Sequence, residues 1–366
     1  MPLAIRSIGV HLVRLRTAEG LKTSIHDVIT EQEYVLTRLK LSDGSEGFGE
    51  APEATFITGE TASSMIEAIE RHLAPAVVGR DPFDLAGAHL AMDRALAAGN
   101  SAAKSAVDLA IYDALGKHLG QPVSRVLGGA PRGPIASSKA IGTGPLKEMV
   151  ASARRQIAAG FGTVKIKTGA DSTAELAAVK AIRAAGGPGL NIKLDANQGW
   201  TLPEALRFLD RARQFDIQMV EQPLAAADLK GHAELRRRIA IPVMLDESIH
   251  GPGDALRAIE AGACDYINIK LLKAGGLFPA QEVATVCAAG GVACQIGSLS
   301  TSIGTAAAIH LVHARPIMKF AEVNWPARLA SDVGTGFSLV KGRADVAPTP
   351  GLGIKVDTRL LRGGRS

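Results

Sequence analysis

Five short runs decide the fold: Thr163-Val164-Lys165-Ile166-Lys167, Asn191-Ile192-Lys193-Leu194-Asp195, Met219-Val220-Glu221, Pro242-Val243-Met244-Leu245-Asp246 and Tyr266-Ile267-Asn268-Ile269-Lys270. Each is β-like and ends in a charged residue. The charged ends from Lys167 to Lys270 follow one another at 28, 26, 25 and 24 residues. Between them lie amphipathic segments of helix length, the rhythm of a parallel β/α structure. Closed into a TIM-like (β/α) barrel of seven or eight units, these ends would all open into one mouth, where such barrels keep their chemistry.

Working outward, eight barrel strands are predicted to end near Ile141, Lys167, Asp195, Glu221, Asp246, Lys270, Gln295 and Glu322. The intervening helices are rich in Ala and Arg, and several stop at a glycine such as Gly160, Gly186 or Gly262, a frequent helix C-terminal signal. Before the barrel, residues 3–16 alternate apolar and polar. Tyr34 to Leu39 follows, and Ser42-Asp43-Gly44 turns it into Gly47-Phe48-Gly49-Glu50, an antiparallel meander. The polar linker Leu21 to Thr30 is expected to be a mobile loop. From Thr61 to about Leu119 the pattern is helical, and residues 102–114 are small and apolar on most faces, as in a buried helix. The expected organisation is an α+β capping domain over 1–125, the barrel over 126–325, and a C-terminal segment, 326–366, that carries a strand-like Ile354-Lys355-Val356 and returns to the cap.

A chain of 366 residues with 46% hydrophobic content suits a barrel plus a smaller domain. The net charge of +5 is scattered; its densest run, Arg236-Arg237-Arg238, closes a predicted helix and reads as a solvated helix end. Aromatic residues make up only 4%, too few for base-stacking platforms, so no nucleic-acid partner is expected. Cys264, Cys287 and Cys294 form no CxxC pair and sit among apolar residues, which points to buried thiols in a reducing compartment. The first residues lack the plan of a signal peptide, and no apolar run reaches membrane-spanning length. A cytoplasmic protein is expected, with no membrane partner.

Asp195, Glu221 and Asp246 end three consecutive strands. One such acid would be read as an arginine's partner or a helix cap. Three together would repel and force protons onto one another. A hard divalent cation resolves this, and all-oxygen ligation without His or Cys suits Mg²⁺, with Mn²⁺ as a substitute. In Lys165-Ile166-Lys167, alternation puts both lysines on one side. Crowding and burial are expected to lower their pKa towards that of a useful base. Lys270 comes from the opposite wall. A carboxylate substrate between Lys167 and Lys270 could lose its α-proton to one and regain it from the other, with the cation placed where enediolate charge develops.

A lysine base, Mg²⁺ and an enediolate are the established pattern of the enolase superfamily. The chain resembles that superfamily in its muconate lactonizing enzyme subgroup. The resemblance is carried by Lys165-Ile166-Lys167, Asp195-Ala196-Asn197, Glu221-Gln222-Pro223, Asp246-Glu247-Ser248 and Asn268-Ile269-Lys270 followed by Gly275-Gly276-Leu277. It implies Asp195, Glu221 and Asp246 as metal ligands, Lys167 and Lys270 as opposed acid/bases, and Lys165 as the residue tuning Lys167. Substrate contacts are expected at Asn197, Asn268, Thr55, Gln295, Glu322 and Trp325, and the assembly is expected to be a homo-oligomer. Subgroup members include cycloisomerases, o-succinylbenzoate synthases, N-acylamino acid racemases, dipeptide epimerases and enzymes of proline derivatives. Phe56 to Thr61 is similar to the dipeptide epimerases, but Glu322-Val323-Asn324-Trp325 departs from their Asp-x-Asp, and Ile296 to Ser302 lacks a glutamate often found there. An indole face suits an ammonium group. The substrate expected from Trp325 is therefore proline-like, a hydroxyproline or proline betaine. It would be epimerised or, as with cis-3-hydroxy-L-proline, dehydrated. The alternatives are a dipeptide epimerase or N-acylamino acid racemase, and beyond these a muconate-type cycloisomerase or a barrel that only binds a ligand.

Overall fold

The computed structural model describes residues 2–23 and 27–361. Eight strands stand side by side in chain order: Lys139–Ile141, Thr163–Lys167, Asn191–Asp195, Ile217–Glu221, Val243–Leu245, Tyr266–Ile269, Ala293–Gly297 and Met318–Glu322. The ladders between them are parallel, and their register sets Lys167 beside Asp195 and Asp195 beside Glu221. The Ser138 N–H donates to the Ala321 carbonyl oxygen at 2.9 Å, which brings the first and last strands together and nearly closes the barrel.

Alternation explains the two layers. Ile166, Leu194, Val220 and Val243 point outward and join Val179, Ile182, Phe208 and Leu209 of the surrounding helices in one buried cluster. Their neighbours Lys165, Lys167, Asp195 and Glu221 point inward. Seven helices cross between successive strands: Leu146–Ala158, Ser172–Gly186, Leu202–Ala212, Leu229–Arg238, Pro252–Glu260, Leu277–Ala289 and Ser302–Ala314. After the eighth strand a 3-10 turn, Trp325–Arg328, stands where an eighth helix would begin. Strands five, six and seven end within two residues of the expected Asp246, Lys270 and Gln295.

The cap is an antiparallel sheet of Ile5–Arg16, Glu31–Leu41 and Glu46–Pro52. The helix Ser101–His118 lies against it, buried from Ala102 to Gly116. The approach is close enough that a Cβ on Gly49 would stand 2.0 Å from the Ala106 carbonyl oxygen, so only glycine fits there. The loop expected between Leu21 and Thr30 falls partly outside the described residues, at 24–26. Near the C-terminus, Leu352 N–H donates to Asp113 Oδ1 at 2.8 Å, so the chain does touch the cap helix. Leu352, Ile354 and Leu361 share a buried cluster with Val13, Leu15, Phe48 and Tyr112 of the cap. Lys355–Val356 pairs with Gly334–Thr335, just after the barrel. All three cysteines are free and buried. Among the described residues no helix is long and apolar enough to cross a membrane.

Candidate active site

The strand ends face a cavity under the cap. Lys165, Lys167, Asp195, Asn197, Asn268, Lys270, Glu322 and Trp325 line it, as do Glu247, Asn324 and Arg328. The cap and its linker contribute Leu21, Thr23, Ile29, Gln32, Phe56 and Ile57 to the same wall.

The charged groups are tightly paired. Lys167 Nζ donates to Asp195 Oδ2 at 2.6 Å and to Asn197 Oδ1 at 2.7 Å. Lys165 Nζ stands 3.0 Å from Asp195, 3.3 Å from Glu221 and 2.9 Å from Glu322. Lys270 donates to Asp246 Oδ2 at 2.6 Å from the opposite wall. Asn268 Nδ2 donates to Glu221 Oε1 at 2.9 Å, and Asn197 Nδ2 to Glu247 Oε1 at 3.0 Å.

These contacts set the electrostatics. Burial alone would lower the Lys165 pKa, but Glu221, Glu322 and Asp195 together outweigh it and hold the ammonium well above its ordinary value. This corrects the sequence expectation for Lys165: acids, not the neighbouring lysine, dominate its surroundings. Burial would likewise raise Asp195, yet Lys167 and Lys165 bring it down to about 2. Asp246 is held still lower, its desolvation outweighed by Lys270 and Lys273. Glu221 goes the other way. Burial pushes it up to about 8, and Asp195, Asp246 and Glu322 add to the rise against Lys165.

Among the described residues no three His, Cys, Asp or Glu side chains converge into a ready cation cage; Lys167 is paired with Asp195 and Lys270 with Asp246. The donor chemistry nevertheless fits a hard cation. The three acids are buried on adjacent strands, and Glu247 beside them keeps a buried carboxylate oxygen, Oε2, without a hydrogen-bond partner.

Two expected substrate contacts lie elsewhere. Thr55 is exposed at the start of the helix Thr55–Thr58 and is absent from the cavity wall; the next two residues, Phe56 and Ile57, face it instead. Gln295 is fully buried below the cavity, where Oε1 accepts from Lys193 at 2.7 Å and Nε2 donates to Glu221 at 3.5 Å. Trp325 does line the cavity, but its indole N–H is donated to the cap's Tyr34 hydroxyl at 2.9 Å. On the same strand end, Asn324 turns its amide nitrogen onto Ser137 Oγ at 2.9 Å and the Ser138 carbonyl oxygen at 2.5 Å.

The sequence reading missed Glu247, Arg328 and Lys273. Glu247 directly follows a metal-ligand candidate, a signal that was present. Lys273 lies three residues after Lys270, on the same side of a helical turn. Arg328 carried no local signal. Only the fold brings it to the wall, where it donates to the Ala140 carbonyl oxygen at 2.7 Å.

Residues 7–128 match the mandelate racemase / muconate lactonizing enzyme N-terminal domain, and residues 148–360 match the enolase C-terminal domain-like model. The chain is 32% identical over 356 residues to a hydrophobic dipeptide epimerase of Enterococcus faecalis, covering 96% of this chain and 99% of that one. It superposes on the N-succinyl Arg/Lys racemase of Bacillus cereus with a TM-score of 0.94 at 27% identity, over 98% of this chain and 97% of the other. A dipeptide epimerase of Cytophaga hutchinsonii, solved with Mg and the dipeptide D-Ala-L-Val, gives a TM-score of 0.94 at 27% identity over 99% and 98%.

Proposed function

Since the chain belongs to the enolase superfamily, in its muconate lactonizing enzyme subgroup, we propose that it is a Mg²⁺-dependent racemase or epimerase of N-acylated amino acids. The observation that carries this is the opposition of Lys167 and Lys270, on the second and sixth strands of an eight-stranded barrel. Two bases across one cavity are what a 1,1-proton transfer needs, and a pure binding protein has no use for them.

Asp195, Glu221 and Asp246 would hold the cation. When bound there, Mg²⁺ would polarise the substrate carboxylate and stabilise the anion left by loss of the α-proton. Lys167 and Lys270 then divide the work. The one facing the α-hydrogen starts as the amine and takes the proton. The other starts as the ammonium and returns a proton to the opposite face. Asn197 holds Lys167 in line, and Lys165 keeps a positive charge beside Asp195, Glu221 and Glu322.

The substrate class is supported from two sides. The relatives described above are named for dipeptides and for a succinylated amino acid. In a dipeptide the second residue is itself an N-acylated amino acid, so both share a carboxylate next to a C–H bearing an amide nitrogen. The eighth strand end favours such a neutral nitrogen. Glu322 is paired with Lys165, which offsets the negative charge it would offer a substrate ammonium. A proline-type substrate, first suggested by Trp325, has no counterpart among those relatives, and we adopt the acylated class in its place.

The test is proton NMR in D₂O with Mg²⁺ over N-acetyl and N-succinyl amino acids, dipeptides, proline and the hydroxyprolines. Loss of the α-proton signal in the acylated compounds, dipeptides included, is the expected result. Exchange confined to proline compounds would return the Trp325 reading. No exchange in any of them would refute the proposed reaction on amino-acid derivatives.

A further inference from the structure

Lys273 is buried, 2% exposed, and has no part in the proton transfer above. It sits in the short helix Leu271–Ala274 that follows Lys270. Its ammonium donates to Asp246 Oδ1 at 2.5 Å, to the Asp246 carbonyl oxygen, and to the Asn268 carbonyl oxygen at 3.3 Å. An ammonium has three donors, so all are engaged. The other carboxylate oxygen, Asp246 Oδ2, takes Lys270 at 2.6 Å. Two lysines of one segment thus grip the two oxygens of one acid, Lys270 from the cavity and Lys273 from behind.

We propose that Lys273 is a positioning residue. It fixes Asp246 as a cation ligand and frees Lys270 from that task. Lys270 must leave Asp246 to reach a substrate, and the acid then keeps a second hydrogen-bonded cation that never faces the cavity. Lys273 also ties the end of strand five to that of strand six through two carbonyl oxygens. Because Asn268 in turn donates to Glu221, one ammonium sets the spacing of two of the three candidate ligands.

The cap holds this lysine in place. Asp108, on the buried cap helix, accepts from Leu277 N–H at 2.5 Å and from His89 at 2.7 Å. Gly276 lies against it with φ +122, and a Cβ there would stand 2.3 Å from Asp108 Oδ2. The segment carrying Lys273 is therefore docked on the cap at one end and on Asp246 at the other. A lysine kept only for stability would make the same contacts, so stability alone does not decide between the roles.

The deciding measurement is calorimetric titration of Mg²⁺, without substrate, into the wild type, K273M, K273Q and K273R, each first shown to be folded by circular dichroism. The inference rests on the proposed use of Asp246 as a ligand, and the wild-type titration tests that first. Expected are binding by the wild type, a loss of about 10–100-fold in K273M and K273Q, and partial recovery in K273R, which keeps the charge. At saturating Mg²⁺ the folded variants should lose kcat in α-proton exchange more than they raise KM. Where the methionine variant does not fold, glutamine, which still donates a hydrogen bond, carries the comparison. Wild-type affinity in a folded K273Q or K273M overturns the positioning role and leaves the proposed function standing. No binding by the wild type overturns both.

Discussion

Glu50 should make the stability of this protein fall as pH rises towards neutrality. It lies at the end of the cap meander, fully buried against the barrel. Thr301 Oγ1 donates to its Oε2, and Gly304 N–H donates to Oε1 at 3.1 Å. Burial pushes its pKa from 4.5 to about 7, with the nearby Asp332 adding to the rise and the Thr301 and Gly304 donors opposing it. The sign follows from linkage. Between the unfolded and folded pKa values the native state holds a proton that the unfolded state has lost, so stability drops with rising pH. The contribution is fully present below pH 4.5 and gone above about 7. At 1.36 kcal/mol per pKa unit, the rise amounts to about 3 kcal/mol. Glu60 is also raised to about 7, by burial first, so the wild-type curve alone would mix the two. The comparison is E50Q against the wild type by urea denaturation at pH 4.5 and pH 8. The glutamine variant should gain about 3 kcal/mol relative to the wild type over that interval. A difference that does not change with pH would refute the assignment, even if E50Q is less stable throughout.

Four further outcomes are expected. K167M and K270M should each lower α-proton exchange by about 10²–10⁴-fold, measured by NMR in D₂O with the two enantiomers supplied separately; an effect of one lysine only would point to a one-base reaction. Exhaustive dialysis against a chelator should abolish exchange and Mg²⁺ should restore it, whereas full activity after chelation would rule out the cation. G49A should destabilise by about 1–3 kcal/mol or more, since its Cβ meets backbone that has no room to move; denaturation midpoints at unchanged m-value decide it. His310, lowered to about 4 chiefly by burial, should withdraw about 3 kcal/mol as pH falls from 6.5 to 4. H310Q should flatten that acid limb in a pH series of melting curves.

The barrel was legible because its information is local. The central strands announce themselves by alternation and charged ends, and the helices by their period, so an order of elements follows without any contact being known. Where the information is not local, pairing partners are not legible. Ile354-Lys355-Val356 has strand chemistry, but nothing in those residues says that the partner is Gly334–Thr335. The eighth βα unit is legible only as a strand; a 3-10 turn, Trp325–Arg328, follows it in place of a helix.

The candidate site divides along the same line. Spacing places Lys165, Lys167, Asp195, Glu221, Asp246 and Lys270 around one mouth, since strand alternation and strand order are enough to aim them. Partner choice is not in the spacing. Lys165 and Lys167 look from sequence like two cations crowding each other, yet Lys165 meets Asp195, Glu221 and Glu322 within 3.3 Å. At such distances in a buried site each opposite charge outweighs a like charge farther away, and the expected direction of the Lys165 shift reverses. The same non-local pairing takes Gln295 out of the cavity, because Lys193 sits 102 residues away in sequence but 2.7 Å away in the barrel. It also ties the Asn324 amide nitrogen to Ser137 and Ser138, a pairing that no local signal announces. Catalytic type follows from which residues share a mouth. Which hydrogen bonds stay free for a substrate depends on pairings such as that of Asn324, just after strand eight, with Ser137 and Ser138, just before strand one, far apart in the chain.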